Sequence, residues 1–242
     1  MNLRTRSAPP SSVIAVRTFA LAALCALIAA GAARSQGLNP RALLDPATTT
    51  WPNYNGDYSG RRFSTLDQIN ASNVSSLNLA WVFETHTQGI KSTPLEVNGI
   101  LYFSVPDYVW AVDARTGRMI WRYHRASEGD HIGQRGVGMY GDWLYFTTPD
   151  AHLVSLNARD GSVHWIVQLA DPNLGYFSTM APLVIRNHVI AGVSGDVTDI
   201  PGFLDSIDPV TGKLQWRWYT EPKPGEPGSS TWPTNSDAIR HG

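Results

Sequence analysis

Of the 242 residues, 43% are hydrophobic and 16% charged, the composition of a globular chain and not of a disordered tail. Nineteen Lys and Arg stand against 20 Asp and Glu, a formal net charge of −1, which argues against a nucleic-acid-binding stripe and against an acidic tail. Nine Trp, nine Tyr and 21 Gly point to a β-rich chain with many turns, and the single cysteine, Cys25, excludes an intrachain disulfide framework and a Cys-based metal site.

Residues 1–35 read as a secretory signal peptide. Arg4, Arg6 and Arg17 precede an apolar run of 15 residues from Phe19 to Ala33, and Ala33-Arg34-Ser35 offers small residues at the positions a signal peptidase reads. The run is shorter than the roughly 20 residues a membrane span needs, so an uncleaved anchor is the alternative and not the leading reading. Leu24 before Cys25 lacks the small side chain of a lipoprotein signal. Removing the segment takes four Arg and no acid, so the expected mature chain carries 15 basic and 20 acidic residues. It is mildly acidic, free of cysteine, exported, and without an integral membrane span.

Residues 36–91 form an N-terminal segment that ends in a strand completing a blade. From there one phrase occurs three times, over Ala111–Trp121, Ser155–Trp165 and Ser206–Trp216. Its skeleton is an apolar residue, Asp or Asn, two spacers, Thr or Asp, Gly, three spacers, Trp. The tryptophans lie 44 and 51 residues apart, and Trp81, 40 residues before Trp121, ends a similar strand without the preceding turn. That period belongs to propeller blades.

The Asp113–Gly117 stretch predicts a turn whose Asp side chain accepts backbone N–H groups while Gly supplies positive φ. Around it Ser92–Val97, Leu101–Val105, Tyr108–Val112 and Met119–Tyr123 read as consecutive antiparallel strands, with Asn98-Gly99 as a hairpin turn. Four strands make one blade, and the recurrent Trp fills the gap between adjacent blades. The fold class is therefore an all-β β-propeller of four-stranded blades, with blades over residues 92–123, 135–168 and 179–220, followed by a Pro- and Gly-rich loop over 221–242. Because a propeller closes with at least four blades, the chain is expected to be the N-terminal part of a longer protein, an independent three-unit β domain being the alternative.

The order of motifs carries a resemblance. The segment Trp51–Ser64, then Leu66–Val74, then Leu79-Ala80-Trp81 resembles the start of the mature quinoprotein alcohol dehydrogenases that use pyrroloquinoline quinone (PQQ). The resemblance continues through Gln134-Arg135-Gly136, Thr179-Met180-Ala181-Pro182 and Ser194-Gly195-Asp196. It implies an eight-bladed propeller with PQQ near its axis, oxidising an alcohol or sugar hydroxyl in the periplasm and passing electrons to a cytochrome c or a quinone. PQQ carries three carboxylates and an ortho-quinone, so its site needs cationic and hydrogen-bonding partners.

Residue by residue, the resemblance places Arg135 against the cofactor and Thr179 and Ser194 at hydroxyl positions that bond its carboxylates. Gly195 and Asp196 follow in the adjoining loop, Gly195 chiefly for backbone geometry. Lys91 stands where many members carry a Glu near PQQ, with a solvated lysine as the plain alternative. His131 falls in the space before Gln134-Arg135 where many members place a cysteine pair, a disulfide that a chain with Cys25 alone cannot form. Val197 stands where metal-using members place a Glu, and an isopropyl group cannot coordinate a hard cation, so no calcium or lanthanide is expected at that loop. The family's stacking tryptophan and catalytic carboxylate fall beyond His241-Gly242, so no catalytic residue is assigned. Asp113, Asp160 and Asp208 sit in the repeat turns and are no substitutes.

A second reading, from another class, is a non-catalytic PQQ-like propeller acting as a protein-binding scaffold in the cell envelope. Zinc, a nucleophile elbow and a phosphate loop find no support in the pattern of His, Ser and Gly.

Overall fold

A computed structural model of the chain describes residues 37–87, 90–128, 133–195 and 200–231. Three four-stranded antiparallel sheets follow one another. The first contains β1 (Leu95–Val97), β2 (Ile100–Val105), β3 (Tyr108–Asp113) and β4 (Met119–His124); the second β5 (Gly138–Tyr140), β6 (Trp143–Thr147), β7 (His152–Asn157) and β8 (Val163–Gln168). The third contains β9 (Leu183–Ile185), β10 (His188–Val193), β11 (Phe203–Ile207) and β12 (Leu214–Tyr219). Each sheet keeps its strands in sequence order, the pattern of propeller blades. The helices among the described residues are short 3-10 turns, and none is long and apolar enough to cross a membrane.

Local chemistry accounts for the hairpins. Asn98 and Gly99 both take positive φ, 54° and 79°, as a two-residue turn between twisted strands requires. In the repeat turn, Asp113 Oδ1 accepts from the N–H of Arg115 at 3.1 Å and of Thr116 at 2.9 Å, and Asp208 Oδ1 does the same for Val210 at 3.0 Å and Thr211 at 2.7 Å. In the second blade Asn157 takes the Asp position and accepts from Arg159 N at 2.9 Å. All three ladders shift register just before this turn, after Ala111, Ser155 and Ser206. Those three small residues face Trp121, Trp165 and Trp216 across the ladder.

The tryptophans reach out of their own sheets. The Trp81 Nε1 donates to Ala114 O at 3.1 Å, Trp121 Nε1 to Ala158 O at 3.0 Å and Trp165 Nε1 to Pro209 O at 3.0 Å. The same rings cover Gly117, Gly161 and Gly212, where an added Cβ would come within 2.7, 2.7 and 3.0 Å of a neighbouring side chain, the indole itself in the first two. These glycines have φ of 71°, 74° and 70°. One indole per blade thus seals the seam to the next, and the apolar cores lie in these seams. Leu95, Tyr102, Val109 and Trp121 meet Met139, Leu144, Phe146 and Leu156 in one, and Leu153 and Leu169 meet Val184, Val193 and Phe203 in the other. Trp216 is 43% exposed, and no turn among the described residues covers it.

Two expectations change in detail. Among the described residues, 77–87 around Trp81 belong to no ladder; Trp81 is held by docking, and Phe83 by edge contacts with Phe103 and Trp110. The first strands begin later than the residue pattern suggests, at Leu95, Gly138 and Leu183. The residues before them bond sideways to the next blade instead: Thr93 N donates to Arg135 O at 3.1 Å and Arg135 N to Thr179 O at 2.9 Å.

The N-terminal segment lies along the first strands. Trp51 and Glu96 exchange backbone bonds of 2.8 and 3.0 Å, Leu38 N donates to Gly141 O at 2.8 Å, and the Tyr58 hydroxyl donates to Val184 O. A further clamp joins blades one and two beyond β4: the Arg125 guanidinium forks onto Asp150 at 3.0 and 2.9 Å.

The seams can be tested by substitution. Gly161→Ala places a methyl group against the Trp121 ring at positive φ and is expected to cost at least about 2 kcal/mol, whereas Gly99→Ala, with open space around it, loses only the backbone term of about 1 kcal/mol. Urea unfolding followed by tryptophan fluorescence measures both, and equal losses would contradict the docking. For the clamp, burial pushes the Asp150 carboxyl up, but Arg125, Thr148 and the charge of His152 outweigh it and hold the group below its ordinary value. Its stabilisation is therefore present above the unfolded carboxyl pKa of about 3.9 and is lost as pH falls from there through the depressed folded value. Asp150→Asn should lose about 3 kcal/mol at pH 7 and show a flatter acid limb in pH-dependent denaturation midpoints; a wild-type acid limb in the variant would mean that the pair does not clamp the blades.

Candidate functional site

Each blade has two ends, and the repeat turns occupy one of them. The β2–β3 ladder runs from Ile100↔Asp113 at the turn end to Val105↔Tyr108 at the other, and the β10–β11 ladder from Val189↔Ile207 to Val193↔Phe203. Asp113 and Asp208 are therefore far from Ser194. Their carboxyls are held below the ordinary range, Asp113 chiefly by the Thr116 hydroxyl and Asp208 chiefly by the Thr211 N–H, as ionised turn acceptors. Asp160 behaves likewise through the Ser162 hydroxyl. None of the three faces the site end.

At the site end the sideways bonds set Arg135 beside Thr179. The Arg135 guanidinium is exposed and donates to the Thr179 hydroxyl, with Thr179 O a further 3.5 Å contact. Gly136, at φ 133°, leaves room for the first blade, since a Cβ there would stand 3.1 Å from Thr93 O. Gln134 anchors the segment from beneath: at 1% exposure, its Nε2 donates to Ser178 O at 2.9 Å and its Oε1 accepts from the Thr147 hydroxyl at 3.2 Å. The single Thr147 hydroxyl hydrogen is shared with Met180 O, which lies closer at 2.8 Å. The sequence shows Gln134 only as a neighbour of Arg135; a polar side chain buried under a site leaves no periodic trace.

Thr179, Ser194 and Gly195 come together in a cleft of about 450 Å³ in the third blade, with Phe177, Met180 and Phe203 among its walls. Phe177 and Ser194 exchange backbone bonds of 2.9 and 3.1 Å, which fixes the Ser194 main chain at the cleft edge, and Gly195 is buried in its wall. Arg135 opens onto an adjoining hollow of about 250 Å³ shared with Asn53, Tyr54, Asn55 and Met180. The N-terminal segment therefore reaches the site, which its motif alone does not indicate. Lys91 is exposed at the same end of blade one but lines neither hollow. His131, Asp196 and Val197 lie outside the described residues.

A guanidinium bonded to the Thr179 hydroxyl, beside a partly apolar cleft that also takes in Ser194, is a donor set for anionic oxygens. It fits the carboxylates and quinone oxygens of PQQ. Among the described residues no group of three or more His, Cys, Asp or Glu is placed to hold a metal ion.

The family model described as PQQ, glucose/ethanol/alcohol dehydrogenase, beta-propeller domain, matches residues 51–242. Quinohemoprotein alcohol dehydrogenase ADH IIB of Pseudomonas putida is 39% identical over 208 residues, covering 81% of this chain and 30% of that protein. The dehydrogenase subunit of the alcohol dehydrogenase (quinone) of Gluconacetobacter polyoxogenes is 33% identical, over 89% of this chain and 32% of that one. Among solved structures, quinohemoprotein alcohol dehydrogenase ADHIIG of Pseudomonas putida HK5 superposes with a TM-score of 0.77 at 30% identity, covering 85% of this chain and 33% of its own. A europium-containing methanol dehydrogenase superposes with a TM-score of 0.70 at 30% identity, over 76% and 34%. The chain spans about a third of the length of these relatives. With the match over residues 51–242 and the three ordered four-stranded blades, the chain belongs to the PQQ β-propeller family of glucose, ethanol and alcohol dehydrogenases.

Proposed function

We propose that this chain supplies the first blades of a periplasmic PQQ-dependent dehydrogenase of eight blades, which oxidises an alcohol or sugar hydroxyl and passes electrons to a cytochrome c or a quinone. The observation that carries the reading is the Arg135–Thr179 pair beside the cleft of Ser194 and Gly195. The signal-like segment 1–35 supports export, and the names of the relatives, quinohemoprotein and quinone-linked, support the acceptors.

When bound, PQQ supplies the two-electron acceptor for the substrate, and that chemistry is the cofactor's own. The residues of this chain bind and orient. Arg135 forks onto a carboxylate, and Thr179 and Ser194 donate to further anionic oxygens. Gln134 holds the Arg135 and Thr179 segments at a fixed separation, and Phe177, Met180 and Phe203 exclude water. Lys91, Asp196 and His131 are assigned to cofactor binding on the family resemblance. Proton abstraction is assigned to no residue of this chain, so the chain by itself is proposed to be inactive. The Val197 side chain offers no oxygen, so the loop is proposed to hold neither calcium nor a lanthanide, unlike the europium-containing relative.

A PQQ titration of the full-length protein, followed by cofactor absorbance and tryptophan fluorescence, tests the assignment. Arg135→Ala is expected to weaken PQQ binding roughly tenfold to hundredfold. Unchanged affinity in the variant would remove Arg135 from the site. A wild-type protein that binds no PQQ would overturn the dehydrogenase and leave the envelope scaffold.

A further inference from the structure

A second hollow, of about 530 Å³, opens at the turn end of the blades, away from the cofactor cleft. It lies at the β9–β10 hairpin, where Ile185 pairs with His188, and the same β10 reaches the site end only at Val193. Tyr140 of β5 and the N-terminal segment complete its lining. Tyr58 ties that segment down, its N–H donating to Leu43 O at 3.0 Å and its hydroxyl to Val184 O.

Two guanidiniums from different elements, Arg41 and Arg186, line this hollow, and neither has an acceptor among the described residues. Elsewhere arginines close onto acids: Arg61 onto Asp57, Arg125 onto Asp150 and Arg217 onto Asp205. Here no Asp or Glu is among the lining residues, and Asp142 of the adjoining β5–β6 hairpin instead accepts from Gly37 N at 3.0 Å. Arg186 also stands at a cost. It opens the two-residue turn between Ile185 and His188 at φ 53°, where the matching turn of blade two has Gly141 at φ 58°. A left-handed backbone is disfavoured for a side chain such as arginine. The hairpin is braced in that shape, since Gln215 Nε2 donates to Asn187 O at 2.9 Å and Gln215 Oε1 lies 2.6 Å from His188 Nδ1. Strain held in a rigid turn, at a residue whose charge the fold does not use, points to a ligand.

Guanidinium forks match planar carboxylates and phosphates. The hollow has the volume of a small-molecule site, more than one inorganic oxyanion fills, and Leu44, Tyr140 and Ile185 offer apolar surface to a carbon skeleton. We propose that it binds a compact organic polycarboxylate through Arg41 and Arg186, at a site separate from that of PQQ and independent of the dehydrogenase reading. Such a ligand touches the N-terminal segment and blade three together, so its binding stabilises the folded state.

Titration calorimetry and thermal unfolding of the full-length protein with citrate as the probe, against NaCl at equal ionic strength, test the site. Citrate should bind saturably and raise the unfolding midpoint where NaCl does not. Arg186→Gly supplies the residue that blade two uses at this φ, so its midpoint without citrate should match or exceed wild type while its citrate affinity falls roughly tenfold to hundredfold. Arg41→Gln should weaken citrate likewise, and decides the matter if Arg186→Gly does not fold. Arg135→Ala, at the cofactor cleft, should leave citrate affinity unchanged. Absence of saturable binding, an equal midpoint shift from NaCl, or wild-type affinity in Arg186→Gly and Arg41→Gln would overturn the proposal. Loss of binding in Arg135→Ala alone would put citrate in the cofactor cleft and overturn it too, and inorganic phosphate binding as tightly as citrate would overturn the polycarboxylate class.

Discussion

An indole resting on a glycine that only a left-handed backbone allows is the contact on which the rest of this structure depends. A four-stranded sheet with apolar residues on both faces leaves them in water unless another layer covers them, so each blade needs its neighbour. Stacked sheets alone would slide. The Trp Nε1 bond to a turn carbonyl, made at 3.0 Å in both seams between blades and at 3.1 Å where Trp81 docks on the first blade, fixes the height of one blade against the next. With strands only five or six residues long in the blade centres, registration at the turn end is transmitted to the other end. There it brings Thr93, Arg135 and Thr179 into one hydrogen-bonded row. The geometry of the candidate site is thus set from the far side of the sheet.

The third blade departs from the other two where the cleft opens. Blades one and two join their second and third strands by tight turns that place Asp107 at φ 71° and Ala151 at φ 53°. In blade three, β10 begins 45 residues after β6, yet β11 begins 51 after β7. The extra residues lie between Val193 and Phe203, the stretch that starts with Ser194 and Gly195. A repeat that packs well at one end has been lengthened at the other, and Ser194, Gly195, Ile200 and Gly202 of the added stretch line the cleft.

That insertion shows in the amino-acid order itself as a Trp spacing of 51 instead of 44, so part of the site is legible from the repeat alone. Strands and turns are legible because their signals are local: alternation, Asn-Gly, and an Asp three residues before a Thr-Gly. That the recurrent Trp belongs in a seam is legible from its period; its partner is not, since nothing near Trp121 says that its ring belongs on Gly161. The extended segment at Trp81 shows the same limit, because Leu79-Ala80-Trp81 carries the residues of a strand yet joins no ladder among the described residues. Arg135, Thr179 and Ser194 are legible only through family resemblance; their adjacency comes from sideways bonds between blades. Gln134 and Tyr54 leave no pattern, because a polar group in a loop resembles any other surface residue until the fold closes round it.

Charge at the site end is deployed in two ways. Two guanidiniums there are neutralised structurally: Arg125 forks onto Asp150, and Arg217 onto Asp205 at 2.8 Å by each nitrogen while its carbon sits 3.5 Å over the Phe203 ring. Both pairs are partly buried, where an unpartnered carboxylate or guanidinium would be destabilising. Arg135 differs in that its side-chain partner is the neutral Thr179 hydroxyl, which orients the fork without cancelling its charge. The exposed position makes this tolerable, because solvent screens the guanidinium until an anion replaces the water. An arginine held in place by a neutral acceptor keeps its charge for a ligand, and on a chain of net −1 this positions a local positive field next to the cleft that gathers Thr179, Ser194 and Gly195.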